Sequence, residues 1–169
     1  MADKTVVSGS TVTVGQLKDF FRQIADGGIG FEEMEATLAH RFFEKTLRAV
    51  IAACKFDWVN PNVEKHFTLE PVRKERKVFH FDQVVSSEEA ERRMKAEEGW
   101  EPANLAELLD YVKSEWNGKD WVVALGSSAR IGGGRCVPCL CRGGAERVLH
   151  LSWWSDGWRG DYRFLAARN

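Results

Sequence analysis

Two groups of side chains in this sequence have the residue types and spacing of a chemical site. The first is Cys136-Val-Pro-Cys139-Leu-Cys141. Thiolates separated by two residues can chelate zinc, and Cys141 or His150 would complete a four-ligand set. The same thiols could act as nucleophiles or redox groups where an electropositive setting lowers their pKa. The local pattern argues against a joint site. The stretch reads as a strand, which sends Cys136 and Cys139 to opposite faces. No second C-x-x-C and no H-x-x-x-H follows. Free cysteine also packs as a small hydrophobe, so structural thiols are the expectation. His40, His66, His80 and His150 lie in no nucleophile motif. Gly132-Gly-Gly134 has neither a following Lys-Ser/Thr nor a helix start after it, and reads as a turn, not a phosphate loop. No catalytic residue, cofactor or metal is therefore assigned. Zinc at Cys136, Cys139, Cys141 and His150 is kept as an alternative.

The second group is Trp153-Trp-Ser-Asp-Gly-Trp-Arg-Gly-Asp-Tyr162. Large rigid aromatics provide contact area at low entropic cost, and interleaved small polar residues provide adaptable hydrogen bonds. Read as a surface, it would present Trp153, Trp154, Asp156, Trp158, Arg159, Asp161 and Tyr162. The other reading fills the core of a small sheet domain with the same tryptophans, and the sequence leaves both open.

The bulk properties narrow the classes. A chain of 169 residues can form one ordinary domain or two small ones. With 24 basic against 25 acidic residues the net charge is −1, so no long-range field favours general nucleic-acid binding. No run of 18 apolar residues occurs, and no membrane association is expected. Met1-Ala-Asp-Lys-Thr5 begins no apolar signal segment, which together with reduced thiols leads us to expect a cytoplasmic protein.

The elements that would position these groups follow from pattern. Residues 1–12 read as an arm or one edge strand. Thr13 and Gln16 have capping-box spacing ahead of Leu17, Phe20, Phe21 and Ile24, which predicts a helix. Further helices are expected over residues 31–43 and 47–54. Residues 55–76 read as an ordered connection, and Arg73-Lys-Glu-Arg-Lys77 as a solvated run. A strand is expected over 77–85. Ser86 and Asn104 cap two helices, the second carrying Leu105, Leu108, Leu109 and Val112. Strands follow over 121–125, 135–141, 146–154 and 162–167, with a hairpin at Gly143-Gly144. Pro138 argues for an edge position or a bulge. On the third of these strands Val148, His150, Ser152 and Trp154 share one face, and Arg147, Leu149, Leu151 and Trp153 the other. The predicted fold is α+β. An N-terminal helical unit, residues 1–75, precedes a C-terminal domain, residues 76–169, of two helices and a mostly antiparallel sheet.

Gly99-Trp-Glu-Pro-Ala-Asn-Leu-Ala-Glu-Leu-Leu109 resembles the helix start of C-type-lectin-like domains in the branch of formylglycine-generating enzymes and the variable proteins of diversity-generating retroelements. Tyr162-Arg-Phe-Leu-Ala166 resembles the closing strand of that branch. Pro102–Leu109, Val123–Ser127 and Arg163–Arg168 are also similar to segments of small uncharacterised bacterial proteins. The copper-binding cysteine pair of formylglycine chemistry has no match here. The resemblance thus implies a binding scaffold whose variable residues precede the last strand, at Ser152 through Asp161.

The expectation is a non-enzymatic module that binds a protein or small ligand, with oligomerisation open. The alternatives are a metal- or thiol-dependent enzyme on the cysteine strand, and a self-assembling structural protein of phage or mobile-element origin.

Overall fold

In the computed structural model, residues 4–7, 10–13, 22 and 47–169 are described. The chain divides into two compact units, Met1–Phe42 and Phe43–Asn169. In the first, β1 (Lys4–Val7) and β2 (Ser10–Thr13) pair antiparallel, with Lys4 opposite Thr13 and Val7 opposite Ser10. That segment is two strands, not the single edge strand expected. Arg22 is helical. The remainder of the helices expected over residues 13–43 lies outside the described residues.

The second unit opens with helical residues 47–53, here α1. Short elements follow, β3 (Trp58–Val59) and α2 (Asn62–His66), and then β4 (Glu75–His80). The domain boundary expected near residue 75 therefore falls inside this unit. The cause is burial: Leu47, Ile51, Cys54, Val63 and Phe67 share one core with Leu108, Leu140 and Leu165.

Both predicted helix caps are present. Ser86 opens α3 (Ser87–Lys95), its hydroxyl accepting from Glu89 N at 3.2 Å. Asn104 opens α4 (Leu105–Ser114) with a full capping box: its side chain accepts from Glu107 N, and the Glu107 carboxylate accepts from Asn104 N. Between the two helices lies β5 (Glu101–Pro102). The last third supplies β6 (Trp121–Val123), β7 (Ala129–Ile131), β8 (Gly134–Gly143), β9 (Glu146–Trp153) and β10 (Tyr162–Arg168). Gly132 and Gly133, at φ +59° and +88°, make the two-residue β7–β8 turn, where both positions require the left-handed region.

These strands form one mixed sheet in the order β3-β9-β8-β6-β10-β4, with β5 beside β10 and β7 beside β8. The β10–β6 and β3–β9 pairs are parallel, and the other pairs in this sheet are antiparallel. The α+β class stands. Pro138 occupies neither an edge nor a bulge, because β8 runs inside the sheet with Pro138 opposite Leu151. Its carbonyl accepts from Ala124 N at 3.0 Å, just past the end of β6, and its nitrogen faces the same neighbour, so the one ladder bond proline cannot make falls where β6 ends.

Alternation along the strands builds two cores. Val122, Leu140, Leu149, Leu151 and Leu165 face α1, α2 and α4. Val123, Val137, Cys139, Phe164 and Ala166 face the other way, toward Ala90 and Met94 of α3. We call these the first and second faces of the sheet.

Candidate functional site

The three clustered tryptophans take three separate positions. Trp153 pairs with Cys136 on the first face and is 44% exposed. Its ring lies over the β7–β8 turn, so close that a Cβ at Gly134 would sit 2.2 Å from its Cζ3. Trp154 points to the second face. Its backbone N–H donates to Arg135 O at 2.8 Å, and its indole Nε1–H donates to Glu88. Above that ring the Arg135 guanidinium lies 3.3 Å from the centroid, a cation–π contact. The Trp154 indole holds the Glu88 carboxyl below the usual carboxylate range, with Arg135 adding a smaller pull in the same direction.

Trp158 corrects the expected contact surface, because it is a core residue only 1% exposed. Its backbone exchanges two hydrogen bonds with Val85, at 2.9 and 3.0 Å, which fold the loop back over the sheet. The ring then packs edge-on to Phe164 at 6.0 Å and to Tyr162 at 5.2 Å. Its indole N–H donates to Ser87 Oγ at 2.9 Å, and that hydroxyl donates to Trp154 O. Ser87 thereby ties α3 to the loop. Asp156 closes the turn by accepting from Trp153 N at 3.1 Å. Arg159 and Asp161 pair with each other in the open at 3.0 Å. Tyr162 is half-buried between Trp158 and Trp121.

The cysteine strand does not converge either. Cys136 joins the first core and Cys139 the second, so the two cannot share an ion. Burial pushes the Cys136 and Cys141 thiols up, and the Cys139 thiol up to about 12, although Ser152 Oγ at 3.2 Å pulls slightly the other way. Burial likewise raises Cys54. His150 is exposed, with Nδ1 2.6 Å from Leu151 O and its ring 5.7 Å from Trp58. Among the described residues no three His, Cys, Asp or Glu side chains gather at ion-binding distance. Thiolate chemistry needs an accessible, acidified thiol, and these are the reverse. In native protein at mildly alkaline pH we expect less than about one thiol to react with a colorimetric disulfide reagent, and all four after unfolding. One fast-reacting native thiol would contradict this geometry.

A cleft of about 530 Å³ opens where the segment before β4, α3 and the sheet's end meet. Its wall contains Glu70, Arg73, Glu91, Lys95, Glu101 and Arg135, over Pro102, Asn104, Leu125 and Gly126. Much of this charge is already spent. Lys95 pairs with Glu101 at 3.1 Å, and Glu70 accepts from Ser127 Oγ at 2.8 Å. Arg73, expected in a solvated run, instead grips the fully buried Glu107 through Nε at 2.8 Å and Nη2 at 2.7 Å. It also donates to Pro102 O at 2.9 Å. These bonds hold the Glu107 carboxyl below its usual range against the opposing pull of burial. Two groups remain unspent. Arg135 uses Nε on Ser128 Oγ, and its terminal nitrogens have no partner among the described residues. Glu91 is half-buried and likewise has none.

None of the candidate site residues the sequence singled out lines this cleft, and Trp154 is linked to it only through its contact with Arg135. Arg135 and Glu91 went unnoticed. The available signal was adjacency: Arg135 directly precedes the cysteine strand, and Glu91 lies one turn beyond Glu88. No known protein family, curated protein or solved structure matches the chain.

Proposed function

We propose that this chain is a non-enzymatic binding module whose ligand seats in the cleft lined by Arg135, the residue stacked on Trp154. The observation that carries the reading is Arg135. Its guanidinium is held on the Trp154 ring at 3.3 Å, its terminal nitrogens have no partner among the described residues, and it lines a cleft whose Arg73, Lys95 and Glu101 are already paired. Such a fork is built for a carboxylate, and the unpaired Glu91 on the same wall is suited to an ammonium. A ligand bearing both groups, a free amino acid or the end of a peptide, matches the pair. The volume lies in the range of small-molecule sites.

The lectin-like reading of the fold belongs to the same proposal. Its support is that the two motifs carrying the resemblance meet: Ala166 pairs with Pro102, and Ala103 N donates to Leu165 O at 2.9 Å.

Thermal shift against the twenty amino acids tests the function. We expect at least one to raise Tm, and Arg135→Ala and Glu91→Gln each to abolish that rise while leaving the unliganded Tm within about 2 °C, since the first position is exposed and the second exchange keeps the side chain's shape. No rise with any of the twenty, or a rise that survives Arg135→Ala, would overturn the proposal.

A further inference from the structure

A different part of the sheet carries a surface that shares no residue with the cleft. On the second face, Trp58 of β3 pairs with Val148 of β9, which pairs with Cys141 of β8. The β6–β8 register, Val122 opposite Leu140, places Trp121 opposite Cys141, and Tyr162 of β10 pairs with Trp121. Val59 packs in the first core, so Trp58 takes the second face with the rest of the row. The row thus runs straight across five strands as Trp58, Val148, Cys141, Trp121 and Tyr162. Trp58 is 43% exposed, Trp121 and Tyr162 are half-buried, and the two small residues between them are buried.

We propose that this row docks a proline-rich peptide in the polyproline II conformation. Three features of the row select that occupant. First, it is aromatic at both ends with small residues between, and proline rings pack on such ridges. Second, each of its unspent polar groups can donate, although the Tyr162 hydroxyl can accept as well. Among the described residues neither the Trp121 indole N–H nor the Tyr162 hydroxyl has a partner, and neither is enclosed, since Arg147 Nε is the one enclosed unpartnered side-chain polar atom of that set. Polyproline II leaves its carbonyls unpaired, and proline brings no N–H to compete. Third, the row has no charged side chain. A nucleic-acid backbone would need cations there, and a sugar would need acceptors for its hydroxyl hydrogens, which no carboxylate or amide of the row supplies. The length also agrees. Four strand spacings span about 19 Å, which at about 3.1 Å per residue is roughly six residues of polyproline II.

The test is titration of the full chain, labelled with fluorotryptophan, with decaproline, followed by fluorine NMR. We expect the Trp58 and Trp121 resonances to move with a Kd of about 1 mM or tighter. Trp58→Ala should weaken binding by at least about tenfold, and so should Trp121→Phe, which keeps a ring but removes the indole donor. Trp153→Ala, on the opposite face, should leave the affinity unchanged. The proposal is overturned if decaproline moves neither resonance at about ten times that concentration, or if Trp58→Ala binds as the parent does. It is also overturned if cellohexaose moves the two resonances where decaproline does not, which would make the row a carbohydrate surface.

Discussion

Trp158→Ala is expected to destabilise the second unit by about 3–5 kcal/mol, the range for emptying a buried tryptophan site. The ring is among the largest fully buried side chains and closes the second core against Phe164 and Tyr162. Its loss also orphans the Ser87 hydroxyl bond that ties α3 to the loop. The cost is a large share of a typical stability of about 5–15 kcal/mol, and should lower Tm by roughly 10–20 °C. Trp153→Ala is the contrast. That ring is largely open on one side, and its removal should cost about 1 kcal/mol or less. Urea unfolding of the two variants checks the pair. Similar midpoints would mean that Trp158 is not a core residue.

Arg73→Ala is expected to be comparably severe for an electrostatic reason. Glu107 is completely buried, and Arg73 supplies its counter-charge together with three hydrogen bonds to its carboxylate, one of them from the backbone N–H. Removing one partner of a buried pair leaves an uncompensated charge, which costs about 3–5 kcal/mol. The pH dependence gives the signature. In the parent the folded-state pKa of Glu107 is lowered, so its contribution is present above the unfolded carboxylate value and is lost as pH falls through the folded one. Without Arg73, burial dominates and raises the folded pKa. The neutral acid then becomes the tolerated form, and the deficit of the variant should shrink on moving from neutral toward pH 5. Denaturant midpoints across that window measure it. A deficit that does not change with pH would remove Glu107 as its cause.

Local chemistry was the legible part of this fold. The caps at Ser86 and Asn104 and the alternating faces of β9 are set within a few residues, and each is where its pattern places it, while the hairpin turns one residue later than its glycine pair suggests, on Gly144-Ala145 with Gly143 paired to Glu146. What escaped pattern depends on distant partners. The stretch from 47 to 75 reads as a helix and a connection, yet its apolar residues pack in the core beneath α4. β10 lies between β4 and β6, a neighbourhood that no local periodicity encodes. The expected strand from 77 to 85 stops at His80, and its tail instead makes the Val85–Trp158 bridge. That bridge is the reason Trp158 is buried while Trp153 and Trp154 are not. Composition marked the segment correctly as unusual but could not divide it. Arg73 escaped for a similar reason: within an alternating charged run, nothing nearby announces a buried carboxylate thirty-four residues on.

The most direct test of the binding account is fluorine NMR of the fluorotryptophan-labelled chain, with each resonance assigned by Trp→Phe replacement, during addition of an equimolar mixture of the twenty amino acids. The cleft proposal predicts a saturable shift of the Trp154 resonance, absent in Arg135→Ala, while Trp158 and Trp58 stay in place. If Trp154 does not move, or moves unchanged in Arg135→Ala, the ligand does not seat at this rim and the proposed site is wrong.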